Sequence, residues 1–218
     1  MKTAEQSFQF ATAAYITRIL NQKALNLREF CEGLQSCSDA SIFYHTFQSL
    51  SRHHFLAEGF SNDFAQWVLA ACNRADLAEQ LAALDLRDYF SLADLRGDLH
   101  RVVTDYIQSY PQFVEQTAFE PFFFCESFEV AMPLGFEART LAEFRDGLQR
   151  LTHASFHYHF ITSRLRLHLR TNDFSLWLVG NLGLESLADR ANGIDIYTNT
   201  LENAHRILLN LVEAELAP

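Results

Sequence analysis

Glycine is scarce in this sequence, and its scarcity removes whole classes of enzyme. The 218 residues include eight glycines, none gathered into a phosphate-cradling loop or a dinucleotide fingerprint. No nucleotide is expected, nor any other cofactor. No Ser-His-Asp motif order is recognisable either. The four cysteines, Cys31, Cys37, Cys72 and Cys125, contain no Cys-x-x-Cys pair and are spread unevenly over the two halves, which argues against a zinc knuckle and a disulfide framework. Basic charge is also short. With 17 Lys plus Arg against 27 Asp plus Glu, the formal net charge is -10, which repels nucleic acid and anionic membranes at long range. Neither is expected as a partner. No apolar run approaches the roughly eighteen residues that span a bilayer, and Met1 to Leu20 mixes Lys2, Glu5, Gln6 and Gln9 with short apolar runs, unlike a secretory signal. The expected location is the cytoplasm.

What the sequence does hold is apolar and aromatic: 49% hydrophobic and 13% aromatic residues, 20 of them phenylalanine. A chain of this composition needs an interior or a partner surface. It is also duplicated. LREFCEGLQSCSDASIFYH from Leu27 and LAEFRDGLQRLTHASFHYH from Leu141 align at a constant offset of 114. The match continues through Ser49/Ser163, Arg52/Arg166 and His54/His168. It resumes at an offset of 110 with Asn62/Asn172, Asp63/Asp173, Phe64/Phe174 and Trp67/Trp177, so the first copy carries an insertion near Ala57 to Phe60.

Helix signals recur at matching places. Asn26 with Glu29, and Thr140 with Glu143, are a cap residue followed three positions on by a carboxylate. A second helix is expected from about Ala40 to Phe55 and from about Ala154 to Leu169, and a third opens at Asn62 or Asn172. Short helices come next near 77–84 and 184–190, then long ones at 92–109 and 201–216, capped by Ser91 and Thr200. Pro111, Pro121, Pro133 and Gly135 punctuate a connecting segment too aromatic for a free linker. Within it Phe122 and Phe124 align with Phe8 and Phe10, and the short apolar run is ambiguous between helix and strand. The expected fold is all-α: an internally duplicated helical bundle, two similar repeats about a pseudo-twofold axis. Residues 1–110 form repeat 1, and residues 111–218 form the connecting segment and repeat 2, as one compact body.

One constellation stands out. At about 100° per residue, Ser41, His45 and Arg52 share one side of the second helix, nearly opposite its apolar face, as do Ser155, His159 and Arg166. The stripe is either a site, with His as proton carrier and Arg as anion clamp, or a solvated or interfacial helix face. Tyr44, Tyr158, Trp67 and Trp177 would line such a site, with Asp63 and Asp173 as partners of Arg52 and Arg166 or of a ligand. The Asn-Asp-Phe-x-x-Trp motifs have a structural reading too, with Asn as cap, Asp at the positive helix end, and Phe and Trp in the core. His157 and His159 point about 200° apart on a helix and cannot share a metal ion. Glu202 with His205 is a single Glu-x-x-His, where di-iron bundles use two. No metal is expected. His53, His54, Arg164, Arg166, His168 and Arg170 make a local basic concentration, read as solvated helix faces.

SIFYHTF, His54 and NDFAQW resemble the bacterial domain-of-unknown-function family 5752 over most of the chain. That resemblance implies a bacterial protein with a helical body, and no activity to carry over. The reading of the residues is a cytoplasmic binding or adaptor protein with a protein or small-molecule partner. The alternative is a metal-dependent or acid-base enzyme with a helical pocket built from His and Asp of both repeats.

Overall fold

The computed structural model describes residues 2–49, 60, 62–195 and 199–217. Its element order repeats. Strand β1 (Phe8–Ala24) leads to α1 (Leu27–Ser36), α2 (Asp39–Phe43) with a π-helical continuation (Tyr44–Gln48), α3 (Asp63–Ala70), α4 (Ala75–Ala82) and α5 (Leu92–Ser109). The second copy runs β2 (Phe122–Ala138), α6 (Leu141–Gln149), α7 (His153–His157) with a π-helical continuation (Tyr158–Thr162), α8 (Ser163–Arg166), α9 (Asp173–Trp177), α10 (Glu185–Asn192) and α11 (Leu201–Leu216).

The two strands pair in an antiparallel two-stranded sheet. The fold is therefore α/β, and the all-α helical-bundle expectation is corrected. The cause lies in the two ambiguous aromatic segments. Phe8 and Phe10, like Phe122 and Phe124, are two apart and both buried, while Gln9 and Phe123 between them are exposed, a period of two that only extended chain gives. The burial patterns of the two 17-residue strands are nearly the same along their length. Pro133 and Gly135, read from the sequence as punctuation, lie inside β2. Pro133 is exposed, where its missing N–H is tolerated, and Gly135 takes a left-handed φ of 76°.

The chain divides into two compact units, residues 16–128 and residues 1–15 with 129–218. Each unit thus holds the helices of one copy and the opening strand residues of the other. In the first unit Phe122 contacts the rings of Phe30, His45, Phe64 and Trp67, with centroids 5.5, 4.7, 5.5 and 5.6 Å away. In the second, Phe8 does the same with Phe144, His159, Phe174 and Trp177, at 5.3, 4.9, 5.5 and 5.7 Å. Burying one such ring stabilises by about 1.5–3 kcal/mol, so the strands belong to these cores energetically as well as geometrically.

Helix starts obey the local signals. Asn26 Oδ1 accepts from Glu29 N at 2.9 Å, and Glu29 returns by accepting from Leu25 N at 2.8 Å. Thr140 and Glu143 complete the reciprocal capping box. Ser91 and Thr200 cap the long helices α5 and α11. The second helices depart from expectation. They change to π geometry after one α turn, and the Ser49 amide bonds back to Tyr44 O, five residues earlier, at 3.1 Å. In the second copy the helix ends at Arg166, before left-handed His168 and Leu169. The part of the first copy's second helix beyond Ser49, and the insertion near Ala57, lie outside the described residues.

The identical pair Gly33/Gly147 has a steric reason. A Cβ on Gly33 would sit 2.3 Å from the Phe124 ring, and one on Gly147 2.2 Å from the Phe10 ring. Each helix yields its side chain so that a strand phenylalanine lies against its backbone. Gly33→Ala is expected to destabilise by about 1–3 kcal/mol through overpacking, with Phe124→Leu partly rescuing it. Gly97→Ala in α5, where nothing lies within 4 Å of the new methyl, should stabilise by up to about 1 kcal/mol. Urea unfolding of the three variants checks both signs.

Candidate functional site

Two imidazoles occupy the centre of the matched cores. His45 stands at 3% exposure on the π-helical turn, and its Nδ1 lies 2.8 Å from Asp63 Oδ2. Its Nε2 accepts the main-chain N–H of Cys125 in β2 at 2.9 Å. His159, also 3% exposed, repeats the arrangement. Nδ1 is 2.8 Å from Asp173 Oδ2, and Nε2 accepts Ala11 N–H of β1 at 2.9 Å. A ring nitrogen that accepts from a backbone amide carries no proton, so the other nitrogen carries it and donates to the carboxylate. Each histidine is fixed as its neutral Nδ1–H tautomer.

The motif Asn-Asp-Phe-x-x-Trp supplies the rest. Asn62 Oδ1 caps α3 by accepting from Ala65 N (2.8 Å), and its amide donates to Leu81 O (3.3 Å). Asn172 caps α9 through Ser175 N at 3.0 Å. This cap fixes the next residue, Asp63 or Asp173, at the first helical position, facing the imidazole. Phe64 and Phe174 are fully buried. Trp67 Nε1–H donates to Glu120 O and Trp177 Nε1–H to Gln6 O, both at 2.8 Å. Each tryptophan therefore holds the main chain just ahead of the strand whose amide the histidine holds. Ser49 and Ser163 donate to the carbonyls of His45 and His159, at 3.0 and 2.5 Å.

The described residues of the polar stripe, Ser41, His45, Ser155 and His159, are not on a solvated face. Residues 41–49 and 155–163 are buried without exception, because the strand covers the side that a helix in a plain bundle would expose. Ser41 and Ser155 are fully buried, and the hydroxyl of Ser155 lies 3.0 Å from that of Thr152. Tyr44 and Tyr158 are 8% exposed and meet the neighbouring imidazoles edge-on, at 4.9 and 4.8 Å. Arg52 and His54 lie outside the described residues, as does the Arg166 side chain. The structure thus brings together His, Asp and Trp of each copy within its own unit, with Tyr alongside.

The strand amides of Cys125 and Ala11 were invisible to side-chain reasoning. So was the buried carboxylate of Glu126, which pairs with Arg18 and accepts from Ser38 Oγ at 2.9 Å. Among the described residues no group of three or more His, Cys, Asp and Glu is placed to hold a metal ion. His205, half of the lone Glu-x-x-His, donates Nε2–H to Leu148 O at 2.8 Å and stacks on Phe156.

Among the described residues no helix is long and apolar enough to cross a membrane. A family of unknown function, DUF5752, matches residues 5–213 of the chain. The chain belongs to the DUF5752 family. A solved structure described as that of OrfY from Thermoproteus tenax is similar to this DUF5752 protein, with 31% sequence identity and a TM-score of 0.84. The match covers 98% of this chain and 97% of that one. No curated protein matches.

The paired imidazoles can be tested by stability and by spectroscopy. Replacing His45 with Gln leaves the Cys125 amide or the Asp63 carboxylate without its partner inside the core, and should cost about 2–3 kcal/mol in urea unfolding. Long-range proton–nitrogen spectra should give both His45 and His159 as Nδ1–H tautomers, and an Nε2–H signal from either ring would contradict the assignment. The pH dependence has its own source in His205. Burial holds its imidazole below the ordinary 6.5, against the smaller upward pull of the Leu148 carbonyl. The unfolded chain then binds the proton more readily than the folded one. Stability should be fully present above about pH 6.5 and fall as the pH drops from there through the folded value. His205→Leu should flatten that decline in unfolding midpoints compared between pH 7 and 5.5.

Proposed function

We propose that this protein is a non-catalytic binding module, working in a reducing compartment such as the cytoplasm, on a protein or small-molecule partner. The observation that carries the reading is the double commitment of each imidazole. A general base needs a nitrogen lone pair open to substrate, whereas Nε2 of His45 and of His159 accepts from a strand amide and Nδ1 faces a carboxylate. These residues hold strands in place.

Two of the thiols fit catalysis no better. Burial pushes the Cys37 thiol up to about 11 and that of Cys72 up to about 12, so neither is a thiolate nucleophile at neutral pH. No disulfide joins the four cysteines, in keeping with a reducing compartment. The net charge of -10 favours neutral or cationic partners over nucleic acid or membrane surfaces.

Two experiments test the reading. Diethyl pyrocarbonate should acylate the exposed His153 and His168 in the native protein and spare His45 and His159 until it unfolds, as mapped by mass spectrometry. A metabolite and peptide panel, incubated with the protein and re-analysed, should yield ligands that return chemically unaltered. A compound transformed by the wild type and left intact by the His45→Gln variant, with the variant's fold verified, would overturn the binding-module reading.

A further inference from the structure

The duplication supplies an internal comparison, because it separates side chains that the architecture needs twice from those found once. In the unit of residues 1–15 and 129–218, a groove of about 700 Å³ runs beside the first half of α11. Gln149 from the end of α6 lines it, with Glu202, Asn203, His205, Arg206 and Leu209. Positions 202, 205, 206 and 209 form one helix face, spaced i, i+3, i+4 and i+7. The first copy's counterpart of α11 is α5, 109 residues earlier (200 − 91). The caps Ser91 and Thr200, the buried Leu99 and Leu208, and the buried Val103 and Val212 all fall in that register. Cap and core are kept, and the groove face is not. Glu202, Asn203, His205, Arg206 and Leu209 stand where α5 has Ala93, Asp94, Arg96, Gly97 and His100, and Arg96 is taken up by an ion pair with Asp39. Since a helix with the same cap and core carries either set, the groove's side chains are released from a structural role.

We propose that this groove binds a small zwitterion, an aliphatic α-amino acid. Its volume is in the range of small-ligand sites. His205 commits Nε2–H to Leu148 O at 2.8 Å and one ring face to Phe156, with centroids 4.8 Å apart. The neutral ring is thereby fixed in orientation, and Nδ1 keeps its lone pair as an acceptor, the feature that His45 and His159 lack. Burial favours that neutral form. Arg206 stands four residues after Glu202, a spacing at which such pairs usually close. Here its guanidinium instead gives an N–H to Asn203 Oδ1 at 2.6 Å, which positions it and leaves its other N–H groups as donors. Among the described residues Glu202 has no ion-pair partner. One face of α11 thus presents a carboxylate and a guanidinium that do not neutralise each other by contact. An ammonium group finds two acceptors there, the Glu202 carboxylate and His205 Nδ1. A ligand carboxylate finds Arg206 and the side-chain amide of Gln149, and an aliphatic side chain finds Leu209. A ligand with a single charge would leave the opposite charge of the groove unmatched. The proposal rests on the binding-module reading and gives it a ligand class.

The full chain is titrated at about pH 7.5, above the ordinary imidazole value, with L-leucine and with two analogues that carry one charge each on the same skeleton. These are 4-methylpentanoate, which lacks the ammonium group, and 3-methylbutylamine, which lacks the carboxylate. Long-range proton–nitrogen spectra, with His205 assigned through a His205→Gln variant, locate the site. Leucine should move the His205 Nδ1 signal saturably and leave the His45 and His159 signals in place. It should bind at least about threefold tighter than either analogue, and Glu202→Gln and Arg206→Gln should each weaken it about threefold, the range of an exposed ion pair. Glu202→Gln should also remove leucine's advantage over 4-methylpentanoate, and Arg206→Gln its advantage over 3-methylbutylamine, an exchange that a merely structural role would not produce. Both positions are exposed, and unmoved His45 and His159 signals report that each variant is folded. The proposal is overturned if leucine gives no saturable His205 shift, if either analogue binds as tightly, or if both variants bind like the wild type; the binding-module reading would then still stand. Chemical conversion of bound leucine would remove that reading and leave occupancy of the groove intact.

Discussion

The architecture depends on a main-chain amide held by an imidazole. In each copy a histidine inside a phenylalanine-rich core has a strand N–H on one side and a helix-terminal aspartate on the other. A strand entering an aromatic core must satisfy its polar backbone or leave groups unpaired at a cost of about 1–3 kcal/mol each. The imidazole meets that requirement while keeping an apolar body, because it packs against Phe122 or Phe8 through the ring and bonds through its edge. A carboxylate alone would bring an uncompensated charge, and an amide side chain would lack the aromatic faces. Once the tautomer is fixed, the Asn cap, the helix start and the Trp clamp act as supports of one geometry.

The π-helical turns belong to the same constraint. Both second helices leave α geometry where Tyr44 and His45, or Tyr158 and His159, enter the core. A π turn takes in an extra residue between hydrogen-bonded groups and so shifts the phase of the residues after it. That shift lets an unbroken run of residues lie buried between helices on one side and strand on the other. A regular helix with a polar stripe would need water along it.

Short-range signals were the legible part of the sequence. Asn26, Thr140, Ser91 and Thr200 cap helices, and their side chains bond within three residues, so local sequence contains both partners. The duplication was legible as well, and with it the pairing of His45 with His159 and of Asp63 with Asp173. The strands were not, since three consecutive phenylalanines at 122–124 hide the alternation and the pairing partner lies about a hundred residues away. Nor was the histidines' task. Their partners are backbone amides, carried by Cys in one copy and Ala in the other, so residue identity at that point says nothing. The expectation of a polar face opposite an apolar one failed for a related reason: periodicity reports which side of a helix is apolar, and cannot report that a distant strand will cover the other.

The exchange of opening segments has a consequence for descent. Phe8 and Phe10 complete the core around the second copy's helices, and Phe122 and Phe124 complete the core around the first's. A one-copy ancestor, carrying its strand ahead of its own helices, would have met the same need only by lending that strand to a second chain and receiving one in return. Fusion of two such chains turns a mutual loan between molecules into an internal one. It removes the concentration dependence of assembly, and afterwards each half is free to change wherever the loan is not written, as where Gln66, Ala70 and Ala71 beside Trp67 stand against Leu176, Gly180 and Asn181 beside Trp177.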